Sequence, residues 1–111
     1  QEFIEKTYGL SAIIKPAEGT LTIDGFAIQV ISTPGHKEDC VCYYLPEENI
    51  LFTGDTLFHE SIGRTDLPGG DMHELILSLR KLVVLPEETK VYPGHGYPTS
   101  IAHERQYNPY F

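Results

Sequence analysis

The strongest constraint on the fold is the dipeptide Asp24-Gly25, which lies between two β-rich segments, TLTI and FAIQVIST. A two-residue Asp-Gly connection between such segments is typical of a tight antiparallel hairpin. Two more short apolar runs, CVCYYL and ILFT, follow with turn-forming residues between them. The sequence therefore predicts four strands in succession, beginning with a hairpin.

Helical patterns are predicted on both sides of these strands. The opening segment, QEFIEKTYGL, has apolar residues at helical spacing and Gly9 as a stop signal. Asp71 and Glu74 form a capping box ahead of an apolar stripe. TKVYP is predicted to be a short strand, and Ser100 is a candidate N-cap for a closing helix. The predicted order is helix, four strands, helix, strand, helix, in one compact unit.

Composition excludes several classes of function. The chain has 111 residues, 41% hydrophobic and 22% charged, which is typical of one packed domain. Its formal net charge of -8 disfavours nucleic acid as a partner, because binding a phosphate backbone depends on cationic side chains. No apolar run approaches the ~20 residues that cross a bilayer, so no membrane partner is expected. These features predict a soluble, cytoplasmic protein.

The cysteines Cys40 and Cys42 are two residues apart on a predicted strand. Neighbours on one strand face have poor geometry for a disulfide, so we expect reduced thiols in a reducing compartment. A metal-binding Cys-x-Cys and a thiol-redox module remain alternatives. The redox alternative requires a lowered thiol pKa.

Three polar residues share one placement: His36, Asp55 and His95 each follow a predicted strand and each adjoin a glycine, in TPGH, TGDT and PGHG. Strand ends that lead into loops are where open sheets gather catalytic groups, and glycine lets the backbone approach closely. Two imidazoles and a carboxylate suit zinc or iron. The pattern therefore predicts a metal site, against the alternative that each histidine is a hydrogen-bonded loop residue.

The other histidines carry weaker signals. His59, His73 and His103 each precede a glutamate, but none begins the His-Glu-x-x-His of a zinc protease helix. We interpret His73 and His103 as residues of helix surfaces, and His59 as a loop residue that could contact substrate. Arg64 and Asp66 are either a local ion pair or contributors to the rim of the site.

Other catalytic patterns are unsupported. The chain has no Gly-x-Ser-x-Gly, so nothing favours serine hydrolase chemistry. Gly69-Gly70 precedes a helix with an acidic first turn, which would repel a phosphate group.

In this order, TPGH, FTGDTLF, SIGRTDLPGGD, VYPGHG and NPYF resemble the C-terminal half of metallo-β-lactamase-superfamily hydrolases, with the closest likeness to short glyoxalase II-like (hydroxyacylglutathione hydrolase-like) proteins. The resemblance covers about Gly19 to Phe111. It implies an α+β fold of the αββα type, here one half of the sandwich, with a mostly antiparallel sheet covered by helices. We therefore expect residues 1–111 to be the C-terminal half of such a domain.

The resemblance also implies a two-metal centre that hydrolyses a thioester or related ester. His36 would bind the first metal, His95 the second, and Asp55 would bridge both and take part in catalysis, because a carboxylate offers two oxygens. His59, Arg64 and Asp66 would lie at the rim. Two zinc ions are expected in the complete site, with iron or manganese as alternatives.

The chain departs from the family pattern at one large point. The other ligands of the family come from a His-x-His-x-Asp-His motif, and no His-x-His occurs in this sequence. We therefore expect an incomplete, inactive site that holds at most one metal weakly. An isolated half-sandwich would expose an apolar sheet face, which predicts a homo-oligomer. The alternative is a non-catalytic half-domain that binds a metal ion or a partner chain.

Overall fold

The computed structural model describes residues 19–111. The strands are β1 (Gly19–Ile23), β2 (Phe26–Ser32), β3 (Val41–Leu45), β4 (Ile50–Gly54), β5 (Leu57–Phe58), β6 (Ser61–Ile62), β7 (Lys90–Pro93) and β8 (Thr99–Ser100). A six-stranded sheet has the order β1-β2-β3-β4-β7-β8, and a separate two-stranded ribbon is formed by β5 and β6. Every pairing is antiparallel except that of β4 with β7.

The predicted hairpin is confirmed. Ile23 pairs with Phe26 across a two-residue turn. Asp24 and Gly25 adopt φ values of 51° and 83°, the left-handed conformation that this turn requires and that Asp-Gly tolerates. The turn sets the register of β1 on β2.

Two helices follow the predicted patterns, α1 (Met72–Val83) and α2 (Ile101–Tyr107). The Asp71 carboxylate accepts a 3.0 Å hydrogen bond from the Glu74 backbone N–H, as expected of an N-cap. Ser100 caps α2 by accepting from the backbone N–H of His103 at 3.1 Å. The helix predicted over the first ten residues lies outside the described part of the chain.

The ribbon β5–β6 and the strand β8 were not predicted. Each has two residues, too short for a periodic pattern to be visible in a sequence. The ribbon gives regular structure to part of the long loop that was expected between β4 and α1. With these additions the fold is α+β, a mostly antiparallel sheet with two helices, as predicted.

Both faces of the central strands are buried. Along β3, Cys42 and Tyr44 belong to one apolar cluster and Tyr43 and Leu45 to another, in the alternation that a strand imposes. Both helices contribute to the first cluster only. Its buried members are Ile31, Cys42, Tyr44, Leu51, Leu57, Leu75, Leu79, Leu82, Val91 and Ile101.

The apolar sheet face that was expected to be exposed is buried. The second cluster consists of Ile28, Val30, Tyr43, Leu45 and Phe52, none more than 6% exposed. Removing apolar surface from water is favourable by about 25 cal/mol per Å², so side chains of this kind are rarely left open. The expectation of a large open patch was therefore wrong for these residues.

No helix in the range 19–111 combines the length and apolarity needed to cross a membrane.

Candidate metal centre

Three strand ends meet at one edge of the sheet. Asp55 directly follows β4, and His95 lies two residues after β7, the parallel neighbour of β4. His36 follows β2, which runs in the same direction as β4 because two antiparallel pairings separate them. The carboxyl ends of these three strands therefore point the same way. This topology brings together His36, Asp55 and His95, the strand-end triad.

The two imidazoles address different oxygens of one carboxylate. His36 Nε2 lies 3.8 Å from Asp55 Oδ2, and His95 Nδ1 lies 3.6 Å from Asp55 Oδ1. Both distances are longer than a good hydrogen bond. The imidazoles therefore lie on either side of the carboxylate without hydrogen-bonding to it. The carboxylate and the His95 side chain are open to solvent, 49% and 77% exposed, whereas His36 is only 14% exposed.

A backbone carbonyl fixes the orientation of His36. Its Nδ1 lies 2.8 Å from the carbonyl oxygen of Arg64. A carbonyl oxygen only accepts, so Nδ1 donates the proton and the lone pair of a neutral ring lies on Nε2, which faces Asp55. Metal-binding histidines are commonly oriented in this way. His95 is bordered by the ring of Phe58, with centroids 4.6 Å apart.

Two glycines allow the backbone to pack tightly around the carboxylate. A Cβ at Gly63 would overlap the carbonyl oxygen of Asp55 and lie 3.2 Å from the His36 Cβ. A Cβ at Gly94 would lie 3.3 Å from Asp55 Oδ1. Side chains at these positions would occupy the space in which the triad converges, so the site depends on glycine there.

The triad fits a metal centre in its chemistry and spacing. Zinc bonds to imidazole nitrogen and carboxylate oxygen are about 2.1 Å long, and two such bonds at a tetrahedral angle separate the donors by roughly 3.4 Å. The nitrogen–oxygen separations of 3.6 and 3.8 Å are near this value. Because each imidazole faces its own oxygen, the arrangement matches one ion on each side of Asp55. These residues would supply one nitrogen ligand to each ion.

A buried polar layer lies beneath the triad. The Thr33 hydroxyl is 3.2 Å from that of Thr56 and 3.4 Å from the Cys42 thiol, and the Thr53 hydroxyl donates to the Leu57 carbonyl at 2.7 Å. These hydrogen bonds satisfy hydroxyls that are at most 1% exposed. They tie the segments that carry His36 and Asp55 to each other.

The thiols do not have the properties of a redox pair. Burial raises the pKa of Cys42 to about 12, and burial also raises the pKa of Cys40. A thiol that remains protonated at neutral pH is a poor nucleophile. The alternative of a thiol-redox module, which required lowered pKa values, is therefore contradicted.

Arg64 and Asp66 form a local ion pair. Two hydrogen bonds join the guanidinium to the carboxylate, Nε to Oδ1 at 2.8 Å and the terminal nitrogen to Oδ2 at 2.9 Å. The guanidinium lowers the pKa of Asp66, chiefly through these hydrogen bonds. Both side chains are largely exposed, 60% and 68%. The structure thus favours the ion-pair reading, while the backbone of Arg64 holds His36.

A second histidine cluster was not predicted. His59 and His103, which come from different parts of the chain, both lie within 3.2 Å of the Glu60 carboxylate. His103 lies on the surface of α2, as predicted, 34% exposed, and it is also paired with Glu60. His73 lies on the exposed side of α1, as predicted. The only sequence signal for this cluster was the repeated His-Glu dipeptide. The repetition does not show that the copies at His59 and His103 lie close together in the fold.

The chain matches a known protein family. The model of the metallo-beta-lactamase superfamily matches residues 9–95. The chain belongs to the metallo-beta-lactamase superfamily. Two curated relatives are the probable metallo-hydrolase M6_Spy0554 of Streptococcus pyogenes, 40% identical over 92% of this chain, and the hydroxyacylglutathione hydrolase GloC of Haemophilus influenzae, 41% identical over 81%.

Solved structures support the same family. The BLEG-1 B3 metallo-beta-lactamase is 48% identical with a TM-score of 0.81, covering 86% of this chain and 46% of that one. TTHA1623 in a di-iron-bound form is 43% identical with a TM-score of 0.79, covering 88% of this chain and 48% of that one. The chain spans about half the length of the curated relatives that it matches, 47% of the streptococcal and 43% of the Haemophilus protein.

Proposed function

We propose that this chain provides the C-terminal half of a metal-dependent hydrolase domain that cleaves a thioester or related ester. The observation that carries the proposal is the placement of the Asp55 carboxylate between two imidazoles, each facing a different oxygen. A bridging carboxylate of this kind is what a two-metal hydrolytic centre needs.

In the proposed centre, His36 binds one ion, His95 binds the other, and Asp55 holds both. Bound metals of this kind supply a Lewis acid and lower the pKa of a water molecule. The chain's own contribution is to orient the ligands: the Arg64 carbonyl sets the tautomer of His36, and Gly63 keeps the edge compact. His59, Arg64 and Asp66 belong to the rim in this proposal, with Arg64 and Asp66 bracing each other.

Zinc is the proposed metal, because imidazole and carboxylate donors suit it, with iron and manganese as alternatives. The structural neighbour TTHA1623 is described in a di-iron-bound form, which supports iron as an alternative to zinc. Thioester chemistry is supported by the name of the Haemophilus relative, a hydroxyacylglutathione hydrolase. A β-lactam is the appropriate comparison substrate, since BLEG-1 is named a metallo-beta-lactamase.

The proposed metal site is incomplete in this chain. No His-x-His occurs among the 111 residues, so each ion would have one imidazole and one shared carboxylate from this chain. Two ligands for each ion are fewer than the three protein ligands of a typical catalytic zinc. We expect no hydrolysis by this chain alone and at most one weakly held ion at the strand-end triad. A non-catalytic half-domain that binds a metal or a partner chain is the second candidate.

The deciding experiment is metal analysis of the 111-residue chain after dialysis against metal-free buffer, beside Asp55→Ala and the exposed control His73→Gln. Metal that is retained by the parent and the control, and reduced in Asp55→Ala, would support the strand-end site. Equal metal content in all three proteins would contradict it.

Activity separates the two candidate functions. The chain is co-expressed with the N-terminal half of the Haemophilus hydrolase, and hydrolysis of a hydroxyacylglutathione thioester and of a β-lactam is measured. Thioester hydrolysis that depends on both polypeptides and is abolished by Asp55→Ala would support the hydrolase. Stable association without hydrolysis of either compound would favour the non-catalytic half-domain.

Self-association and location are further proposals. The large side chains Tyr97 and Val84, 77% and 75% exposed, offer apolar surface, and we propose that the chain forms a homo-oligomer. A monodisperse monomer in light scattering would contradict it. We also propose a cytoplasmic location, because buried thiols such as Cys42 persist in reducing compartments.

A further inference from the structure

The turn between β5 and β6 meets the first turn of α2 in a compact group of metal-binding side chains. His59 Nε2 lies 3.2 Å from Glu60 Oε2, and His103 Nε2 lies 2.8 Å from the same oxygen. All three donor atoms lie within 4.8 Å of one another. We propose that His59, Glu60 and His103, the turn cluster, form a second binding site for a divalent transition metal such as zinc, separate from the strand-end triad.

The donor set has the right chemistry for this ion. Two imidazoles and one carboxylate are the three protein ligands of a familiar class of zinc site, which leaves a fourth position for water. Donors around a tetrahedral zinc ion are separated by roughly 3.4 Å. The separations of 2.8 and 3.2 Å are shorter, so the side chains must move apart to admit the ion.

The imidazole rings are already paired. The rings of His59 and His103 stack with centroids 4.9 Å apart and an interplanar angle of 17°. Tyr107 borders His103 at 4.7 Å and Tyr97 borders His59 at 6.3 Å. Parallel rings do not aim both lone pairs at one point, so metal binding requires one ring to rotate out of the stack. Such a rotation would change the environment of Tyr97 or Tyr107, which gives a signal besides metal content.

A buried carboxylate holds the turn against α2. Glu60 has a φ of 58°, an uncommon conformation for a residue with a side chain. Its backbone N–H donates to Glu104 Oε1 at 2.9 Å. Glu104 is completely buried and also accepts hydrogen bonds from Thr99 at 2.6 Å and Asn108 at 2.8 Å. The chain thus fixes one ligand-bearing turn to the helix that carries His103, which lowers the entropic cost of assembling the site.

The competing explanation is a hydrogen-bonded histidine–glutamate group without metal. In that case a neutral imidazole donates its Nε2 proton to Glu60, and both rings stay in the stack. The electrostatic environment favours a cation over this state. The Glu104 carboxylate accepts a hydrogen bond from the backbone N–H of Glu60, so a second anionic group lies beside the turn, and the whole chain has a net charge of -8.

Zinc titration by calorimetry tests the site in metal-free Asp55→Ala protein, which lacks the bridge of the strand-end triad. We expect this protein to bind one zinc ion. Adding His103→Gln should weaken the binding by about tenfold or more, because a ligand is lost, whereas adding the exposed control His73→Gln should not change it. Circular dichroism verifies that each variant is folded.

A second variant and a second signal complete the test. Glu60→Gln retains the backbone hydrogen bond to Glu104 but removes the anionic ligand, so it should also weaken zinc binding. In 15N NMR spectra, zinc should change the chemical shifts of the imidazole nitrogens of His59 and His103 and leave those of His73 unchanged. No zinc binding to Asp55→Ala protein, equal affinity with and without His103, or shifts confined to other histidines would each overturn the proposal.

Discussion

The strand-end triad and the turn cluster contain the same kinds of side chain but are built differently. In the triad, the imidazole nitrogens stand 3.6 and 3.8 Å from the carboxylate oxygens and face different ones. In the turn cluster both imidazoles approach a single oxygen, at 2.8 and 3.2 Å. The imidazoles of the triad thus stand apart from the carboxylate, whereas those of the turn cluster are in close contact with it.

The difference follows from what supports each group. The triad is attached to three strands of one sheet, and the Arg64 carbonyl accepts the Nδ1 proton of His36 at 2.8 Å. The turn cluster depends on a short ribbon that is held to the α2 segment by the Glu104 carboxylate and by a hydrogen bond from Asn108 Nδ2 to the Ser61 carbonyl. A sheet edge keeps its side chains apart, whereas these hydrogen bonds draw two segments together. The two groups should therefore respond differently to changes in their supports.

Replacing Glu104 should have the largest effect. Glu104→Ala removes the acceptor for the Glu60 backbone, Thr99 and Asn108, so buried or partly buried donors each lose a hydrogen bond. We expect the free energy of unfolding to fall by about 3 kcal/mol, and zinc binding by the turn cluster to be lost in the protein that remains folded. Urea denaturation and zinc titration measure the two effects.

The exposed Glu88→Ala is the matched control for Glu104→Ala and should change neither quantity. If Glu104→Ala weakened metal binding at the strand-end triad as strongly as at the turn cluster, the two groups would share a support and the contrast between them would fail.

Replacing Gly63 should have an intermediate effect on stability. It should weaken metal binding at the strand-end triad and not at the turn cluster. In Gly63→Ala the new Cβ meets the Asp55 carbonyl oxygen and crowds His36, so the backbone must shift. We expect a loss of about 1–3 kcal/mol in the free energy of unfolding, as for other overpacked sites. Metal bound through Asp55 should decrease, measured by elemental analysis.

For Gly63→Ala, zinc binding by the turn cluster should persist, measured in the Asp55→Ala background. The exposed Ser61→Ala on the same ribbon is the control and should leave both metal signals unchanged. Unchanged metal content of the strand-end triad in Gly63→Ala would show that its geometry tolerates movement of Asp55.

At neutral pH the smallest effect is that of replacing the buried Cys42 thiol, because its consequence is visible only at high pH. Burial raises the pKa of Cys42 from its ordinary 9.0 to about 12. Between these values the unfolded thiol loses its proton while the folded one keeps it, so rising pH favours the unfolded state. We expect Cys42→Val to lose less stability than the parent between pH 9.0 and about 12.

The measurement is urea denaturation across this alkaline range, compared with Cys40→Val. Cys40 is only partly buried, so its replacement should alter the pH dependence less. Parallel pH curves for the parent and Cys42→Val would contradict the raised pKa of Cys42.

Much of the fold was visible in short-range patterns. Asp24-Gly25 specified the hairpin, and Asp71 and Ser100 marked the starts of α1 and α2. These signals work because turns and helix caps are decided by the conformations and hydrogen bonds of a few adjacent residues. The ribbon β5–β6 was missed because two-residue strands carry no periodic pattern.

The candidate site was predictable to the same extent. The recurrence of glycine beside His36, Asp55 and His95 at strand ends indicated which residues would meet, and the structure brings them together. Nothing in the sequence linked the buried Glu104 to Glu60, because that hydrogen bond joins distant segments. The expected open sheet face was wrong for a related reason: burial depends on what packs against a strand, which its own alternation does not reveal.

By itself, the sequence determined the five longer strands, the starts of both helices, the hairpin turn and the membership of the strand-end triad, since each depends on neighbouring residues or on a repeated local motif. Only the tertiary structure decided that each imidazole of the triad faces its own oxygen of Asp55, and that His59 and His103 converge on Glu60. Distances between side chains from separate elements are set by strand direction, sheet order and the packing of α2, and these are properties of the assembled chain.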